Sequence, residues 1–308
     1  MTHAPMPTGA QPGYHADIHA RFLQRLEDDR AGGRLQEWMT SWYWKELFPQ
    51  FGDSQTYKGP GDLVRWVVNQ SRAHRYPTPP DLDGIAARAA LQEAGERAMF
   101  ADPLFSRHQD QIDRIDFANH AAYSAQDFHF QSLPFAGAAR PGVVLDFGAG
   151  CGRMARQWIA DGATAYVGVE GIPETYCLQH LYYSFLDAPL HDYAVDPEFA
   201  FAARPGSISH VPSWRTDLLP TGSVDLCCAV QVLGELRPQM LEFIVSEFRR
   251  LLRPGGFLYV RDHGKVHVPN KMDIPRILSE AGFSLTFEAS YVDRKALHGI
   301  PKLWQRAA

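Results

Sequence analysis

Cysteine is scarce, with four in 308 residues and none in a Cys-x-x-Cys pair, which argues against a disulfide scaffold or a zinc ribbon. Cys151 and Cys177 stand alone, while Cys227 and Cys228 sit inside an apolar run and read as small core residues. A reducing, cytoplasmic compartment is the simplest expectation. Positive charge is also in short supply: 30 Lys+Arg against 35 Asp+Glu give a formal charge of −5, so no basic field is available for DNA or RNA. Apolar runs fall short of bilayer length, and the opening "MTHAPMPTGAQPGYH" has neither a basic region nor an apolar one. Neither a membrane span nor a signal peptide is expected. Internal repeats and low-complexity tracts are missing too. What is present is 45% hydrophobic and 21% charged residues, enough for a large packed core in one domain or two modest ones.

The pattern divides the chain into three parts. Residues 1–13, rich in Pro, Gly and Thr, are expected to be disordered. Residues 14–135 read as a helical cap. "ADIHARFLQRLEDDR" has apolar residues at spacings of three and four, "LQEWMTSWYWKELF" reads as a second helix, and "GPGDLVRWVVNQSRAHR" starts a third after a turn. A Pro-rich linker follows, with Asp81 or Asp83 as a cap for "GIAARAALQEAGERAMF". The Trp-rich stretch near 38–44 suits either core packing or a homodimer face. Residues 136–308 change character: short β-branched runs alternate with helical ones, which predicts an α/β fold with a parallel sheet covered on both faces. The last two runs, "FSLTFEASY" and "GIPKLWQR", suit an antiparallel pair at one end of it.

The first strand-to-helix turn of such a sheet is the usual ligand site. Here it is "VVLDFGAGCGR", with Gly148, Gly150 and Gly152 at alternate positions and Asp146 two residues ahead. It lacks the third-glycine spacing of the dinucleotide fingerprint and the Gly-Lys-Ser/Thr ending of a P-loop. A carboxylate at Asp146 would repel a pyrophosphate and could instead accept hydrogen bonds from an ammonium group.

That turn resembles motif I of the class I S-adenosylmethionine (SAM)-dependent methyltransferases. Three further stretches are similar to that family in order and spacing. Glu170, followed by Gly171 and Ile172, ends the second apolar run where the family's ribose-binding acid stands. "SWRTDLLPTGSVDL" has the family's spacing between the third strand and the Asp that opens the fourth, and "LLRPGGFLYV" resembles the turn before the fifth. The resemblance implies a Rossmann-like, seven-stranded, mostly parallel sheet with an antiparallel last strand, and SAM as cofactor or substrate. It places Asp146, Gly148, Gly150, Gly152, Glu170, Gly171, Ile172 and Gln231 around SAM. At Ser213 the family usually has Asp, and at Trp214 a small residue. This departure leaves Trp214 to stack on adenine or to pack in the core, with Asp217 as the nearby acid.

SAM brings its own electrophile, so the protein must orient a nucleophile, sometimes deprotonate it, and exclude water. Strand four lacks the Asn/Asp-Pro-Pro-Tyr/Phe motif of the family's nucleobase and amide methylators. "YVRDHG" puts Asp262 and His263 at the mouth of the site, and His263 reads as a base oriented by Asp262. His263 and His267 lack a third ligand, so no metal is expected. On one helix face Tyr176, His180 and Tyr183 either line a pocket over the sulfonium or pack on the N-terminal helices. His120, Tyr123, Phe128 and His129 lie in the segment that often folds over SAM in this family. "VEGIPETYCLQHLYY" and the run from Leu233 to Gly264 resemble a subgroup of sugar O-methyltransferases. The leading expectation is therefore methylation of a hydroxyl on a small, secondary-metabolite-like acceptor. Two others stand beside it. In one, SAM's own amino group attacks its γ-carbon, giving azetidine-2-carboxylate and methylthioadenosine, with Tyr176 facing the sulfonium. In the other, the chain is a SAM-binding partner subunit without chemistry.

Overall fold

The computed structural model describes residues 14–40, 57–73, 84–137, 140–262, 272–290 and 299–307. Four longer helices precede the first strand: α1 (Tyr14–Ala31), α2 (Pro60–Ala73), α3 (Ile85–Phe100) and α4 (Phe117–Ser132). Pro60 opens α2 at a position where its missing N–H costs nothing, and the Asp116 carboxylate caps α4 by accepting from the Asn119 amide at 3.0 Å. The N-cap of α3 is Gly84, and the expected caps Asp81 and Asp83 lie outside the described residues. The Trp-rich stretch is described only to Thr40, where Glu37–Thr40 form a single 3₁₀ turn.

The second part is an α/β sheet of eight strands: β1 (Val143–Phe147), β2 (Ala165–Glu170), β3 (Leu190–Asp192), β4 (Ile208–Pro212), β5 (Val224–Val230), β6 (Leu252–Arg261), β7 (Phe283–Glu288) and β8 (Lys302–Arg306). Their order is β3-β4-β2-β1-β5-β6-β8-β7. β1, β2 and β4 are buried at every position, as expected of parallel strands with both faces covered. β8 runs antiparallel to both β6 and β7, so the expected pairing of the last two runs is present. The strand count is a correction: eight, not seven, because the short β3 adds to the edge beside β4.

Helices α5 (Met154–Ile159), α6 (Pro173–Ser184), α7 (Pro238–Leu251) and α8 (Ile274–Glu280) complete the fold. Side-chain alternation sorts the core into two clusters. Val144, Tyr166, Leu226, Cys228 and Tyr259 face α1–α6, whereas Val143, Leu145, Val167, Cys227 and Leu258 face α7 and α8. The adjacent Cys227 and Cys228 thus fill opposite sides, and all four cysteines are free and buried. Among the described residues no helix is long and apolar enough to cross a membrane.

Candidate active site

The turn between β1 and α5 shows why glycine alternates there. Gly148, Gly150 and Gly152 have φ of 67°, 60° and 84°, a region that penalises any side chain. Space is also denied: a Cβ on Gly148 would lie 2.6 Å from Val232, and one on Gly152 would lie 2.4 Å from the Tyr183 ring. At Gly150 the nearest groups are Trp66, at 3.5 Å, and Gln70, both from α2. Helix α2 therefore roofs the turn.

Two buried carboxylates flank it. Asp146 accepts from the Tyr166 hydroxyl at 2.8 Å, and burial pushes its pKa up to about 7. Glu170 accepts from the Gly171 and Ile172 amides at 2.8 and 3.0 Å and from Gln179 Nε2 at 3.0 Å. Burial pushes Glu170 to about 7 as well. Glu235, near Glu170 and Asp262, is pushed well above the usual carboxylate range by burial and by those two acids. At the ends of β4 and β5 the Ser213 hydroxyl and the Gln231 amide nitrogen are buried with no hydrogen-bond partner among the described residues. Gln231 also has φ of 57°, the only positive value for a non-glycine among the described residues, so its backbone is held in an unfavourable region at a strand end.

The remaining expected residues divide. Asp262 accepts from the Gly234 amide at 2.9 Å and so ties the end of β6 to the segment after β5. Its expected partner, His263, lies outside the described residues, as does His267. His120 is fully buried between Glu96 Oε2 (2.9 Å) and Gln70 Oε1 (3.1 Å), close beneath the roof. Tyr123 meets Arg261 Nη2 at 2.6 Å and lies under the Arg153 guanidinium at 3.9 Å. Phe128 instead packs on Trp158 of α5, and half-buried His129 contacts Phe130, with its pKa pushed down by burial. The α4 segment thus brings His120 and Tyr123 towards the turn and turns Phe128 to the core, while His129 stays half-buried.

Trp214 is 3% exposed, donates its indole N–H to Asp29 of α1 at 2.9 Å and packs edge-on against Phe22. It also lines a cavity of about 230 Å³ with Arg34, Met39 and Asp217. Asp217 itself is exposed and paired with Arg215. Tyr176 needs a correction. Its ring lies 3.8 Å from His210 and 4.2 Å from Phe22, two rings too close to share one face, and its hydroxyl donates to Asp192 at 2.8 Å. Both faces are covered, so no sulfonium can rest on them. Tyr183 fills the space beneath Gly152 and Gly168 rather than an acceptor pocket. His180 is paired to Asp192 at 2.8 Å. The aromatic stripe of α6 is therefore core packing.

Several residues at or behind the site had no motif to announce them. Trp66 and Gln70, four apart in "RWVVNQ", share a helix face, which is a signal, but nothing local says that this face covers a glycine turn. Asp127 binds Arg153 (2.5 Å) and Arg261 (2.9 Å), joining α4 to the turn and to β6. Burial opposes its ionisation, yet the two guanidiniums hold its carboxyl below the usual range. Asp192 gathers Tyr176, His180, His210 and the Ala194 amide.

Residues 145–260 match the family model described as a methyltransferase domain. Over that stretch the chain is similar to a methyltransferase domain. No curated protein matches the chain. Solved structures with a similar fold include 1,6-didemethyltoxoflavin-N1-methyltransferase of Burkholderia thailandensis, 16% identical over 75% of this chain and 94% of its own, TM-score 0.42. The N-methyltransferase NodS of Bradyrhizobium japonicum is 12% identical over 71% of this chain and 99% of its own, TM-score 0.42. The [4+2]-cyclase SpnF is 14% identical over 62% and 83%, TM-score 0.44. In the matched stretch, the glycine turn, Asp146 and Glu170 occupy the C-terminal ends of β1 and β2, where open α/β sheets take their ligands.

Proposed function

We propose that the chain binds SAM across the C-terminal ends of β1, β2, β4 and β5 and transfers its methyl group to a hydroxyl of a small natural-product or sugar-like acceptor. The observation that carries the SAM reading is the pair of buried carboxylates, Asp146 and Glu170, on either side of a turn that only glycine can make. That environment suits a ligand with an ammonium and a ribose diol and repels phosphate. The buried, partnerless Gln231 amide and Ser213 hydroxyl add a donor and a donor-acceptor where the ligand would lie. SAM supplies an activated methyl on a sulfonium. Asp146 would take the ammonium, Glu170 the ribose hydroxyls, and Gly171 and Ile172 hold Glu170 in place through their amides. Asp262, through Gly234, fixes the rim beside Gln231, and the adjacent His263 is the proposed base for the acceptor hydroxyl.

The roof formed by Trp66 and Gln70 over Gly150 favours a second reading in which no acceptor enters. There the SAM amino nitrogen forms a bond to its own γ-carbon, the carbon–sulfur bond breaks, methylthioadenosine leaves, and the ammonium proton passes to solvent. The covered faces of Tyr176 remove the cation contact once expected to support it.

Mass spectrometry separates the two. Methylthioadenosine and azetidine-2-carboxylate from SAM alone would assign the cyclase. Stable SAM, consumed only when a hydroxylated acceptor is added and with a methyl gained by that acceptor, supports methyl transfer. SAM affinity unchanged in both Gly150→Val and Glu170→Ala would sink the binding site itself.

A further inference from the structure

The glycine turn carries acids of its own, and α2, a helix from outside the matched stretch, brings donors to it. The three atoms nearest to where a Cβ of Gly150 would stand are Trp66 Cζ2 (3.5 Å), Trp66 Nε1 (3.7 Å) and Gln70 Nε2 (3.8 Å). Trp66 thus presents the indole edge that bears its N–H, a group that can only donate. Gln70 presents nitrogen as well. Its Oε1 accepts from the Cys151 thiol at 3.8 Å and lies 3.1 Å from His120 Nε2, which leaves Nε2 towards the turn. Burial pushes the Cys151 thiol up to about 12, so it keeps the proton it donates. Gly150 turns its own carbonyl the other way, where it accepts from Gln179 Nε2 at 3.1 Å.

We propose that Trp66 and Gln70 receive the carboxylate of the ligand's α-amino-acid end, beside Asp146, which takes its ammonium. The inference rests on the reading of this turn as a SAM site and names the part of SAM that α2 recognises. In an α-amino acid both charged groups hang from one carbon, so their partners must stand close together. Asp146 and Gly150 belong to one turn, and Gly150 is the point on which the two donors converge. The acids there, Asp146 and Glu170, repel a carboxylate. Arg153 follows the turn directly, but Asp127 and the Met154 sulfur take its guanidinium. Indole and amide N–H groups give a carboxylate charge-assisted hydrogen bonds without a cation that would compete for Asp146.

The donors are held in place by their neighbours on α2. Arg65, beside Trp66, bridges Asp62 at 2.8 Å and Glu174 of α6 at 3.0 Å. Ser71, beside Gln70, accepts at its carbonyl from Asn119 Nδ2 (2.6 Å) and at its hydroxyl from the Asp116 amide (3.2 Å). These ties fasten α2 to α6 and to the start of α4, so little ordering remains when a ligand arrives. Solvent still reaches the gap, because Trp66, Gln70, Gly148 and Gly150 are all half-buried. The consequence is specificity for a free amino-acid end. An ester, an amide or a decarboxylated analogue would set these donors against a group with no negative charge.

Calorimetry with SAM and decarboxylated SAM tests this. The decarboxylated ligand keeps the ammonium, the sulfonium and the ribose and carries one more net positive charge. Asp146 and Glu170 should therefore favour it, so a preference for SAM must come from groups that hold the carboxylate. Wild-type protein should prefer SAM by about tenfold or more. Trp66→Phe keeps a ring and loses the N–H, and should cut that preference about fivefold by weakening SAM alone. Gln70→Glu sets a carboxylate against a carboxylate and should reverse it. Equal losses for the two ligands in both variants would mean that α2 merely packs on the turn, and would overturn the proposal. So would wild-type protein that binds both ligands equally, or a preference that survives in Trp66→Phe and falls in Gln231→Leu. The SAM reading stands in each of those cases. Wild-type protein that binds neither ligand fails that reading, and this inference with it.

Discussion

Lowering the pH from about 7 to about 6 should weaken SAM binding about thirtyfold, or about 2 kcal/mol. The reasoning starts from Asp146 and Glu170, both pushed by burial to about 7. SAM brings an ammonium and two hydroxyls, all donors, so it binds the ionised form of each carboxyl. A group with pKa near 7 is about half ionised at pH 7 and about one-eleventh ionised at pH 6, a factor of about 5.5 per group and about 30 for two. The SAM amino group remains charged over this window, since an α-amino pKa is about 7.7–8. Calorimetry in two buffers of different ionisation enthalpy reads the effect directly, and nearly two protons should be released per SAM bound at about pH 6. Glu170→Gln should reduce both the proton count and the pH dependence to about those of one group, about sixfold per pH unit. A flat affinity profile with no buffer dependence would refute the argument, because the two carboxyls would then be ionised before SAM arrives or would not meet it. The sign for the free protein is the reverse. Both folded-state pKa values are raised, so this contribution to stability is full below about pH 4 and is lost as pH rises through about 7, and SAM should restore it.

Three further outcomes follow from packing. Gly152→Ala forces a Cβ to 2.4 Å from Tyr183 in a left-handed backbone, and the melting temperature should fall by several degrees, by about 2 kcal/mol or more. Asp127→Asn leaves Arg153 and Arg261 buried without their anion and should cost about 3–5 kcal/mol in urea unfolding; a loss under about 1 kcal/mol would show that the cluster is not buried as described. Asp29→Ala removes the acceptor of Trp214, Tyr193 and Arg215, so amide exchange in α1 should accelerate while that in β1 and β5 stays slow. Equal acceleration throughout would mean that α1 is not a separable clamp.

Local pattern was enough to expect the sheet. β1, β2 and β5 are short, mostly apolar runs bounded by turns, β4 is a mixed one, and alternation of side chains needs no tertiary information. The short β3 went unread because three residues with mixed burial carry no periodic signal; pairing with β4 defines them. The α6 residues were placed on one helix face, correctly, but a face does not say what it meets. Tyr176 meets Phe22, which precedes it by more than a hundred residues.

By itself, then, the sequence determined the sheet's alternation, the glycine turn and the two acids beside it, because backbone conformation at Gly148, Gly150 and Gly152 and the strand ends at Asp146 and Glu170 are set within a few residues. Only the tertiary structure decided what surrounds them: Trp66 and Gln70 above Gly150, Asp127 between two arginines, and Gln179 joining Glu170 to His210 and Asp192. Those partners come from distant segments. Their pKa values and protonation follow from burial and from donors that meet only once the chain has folded.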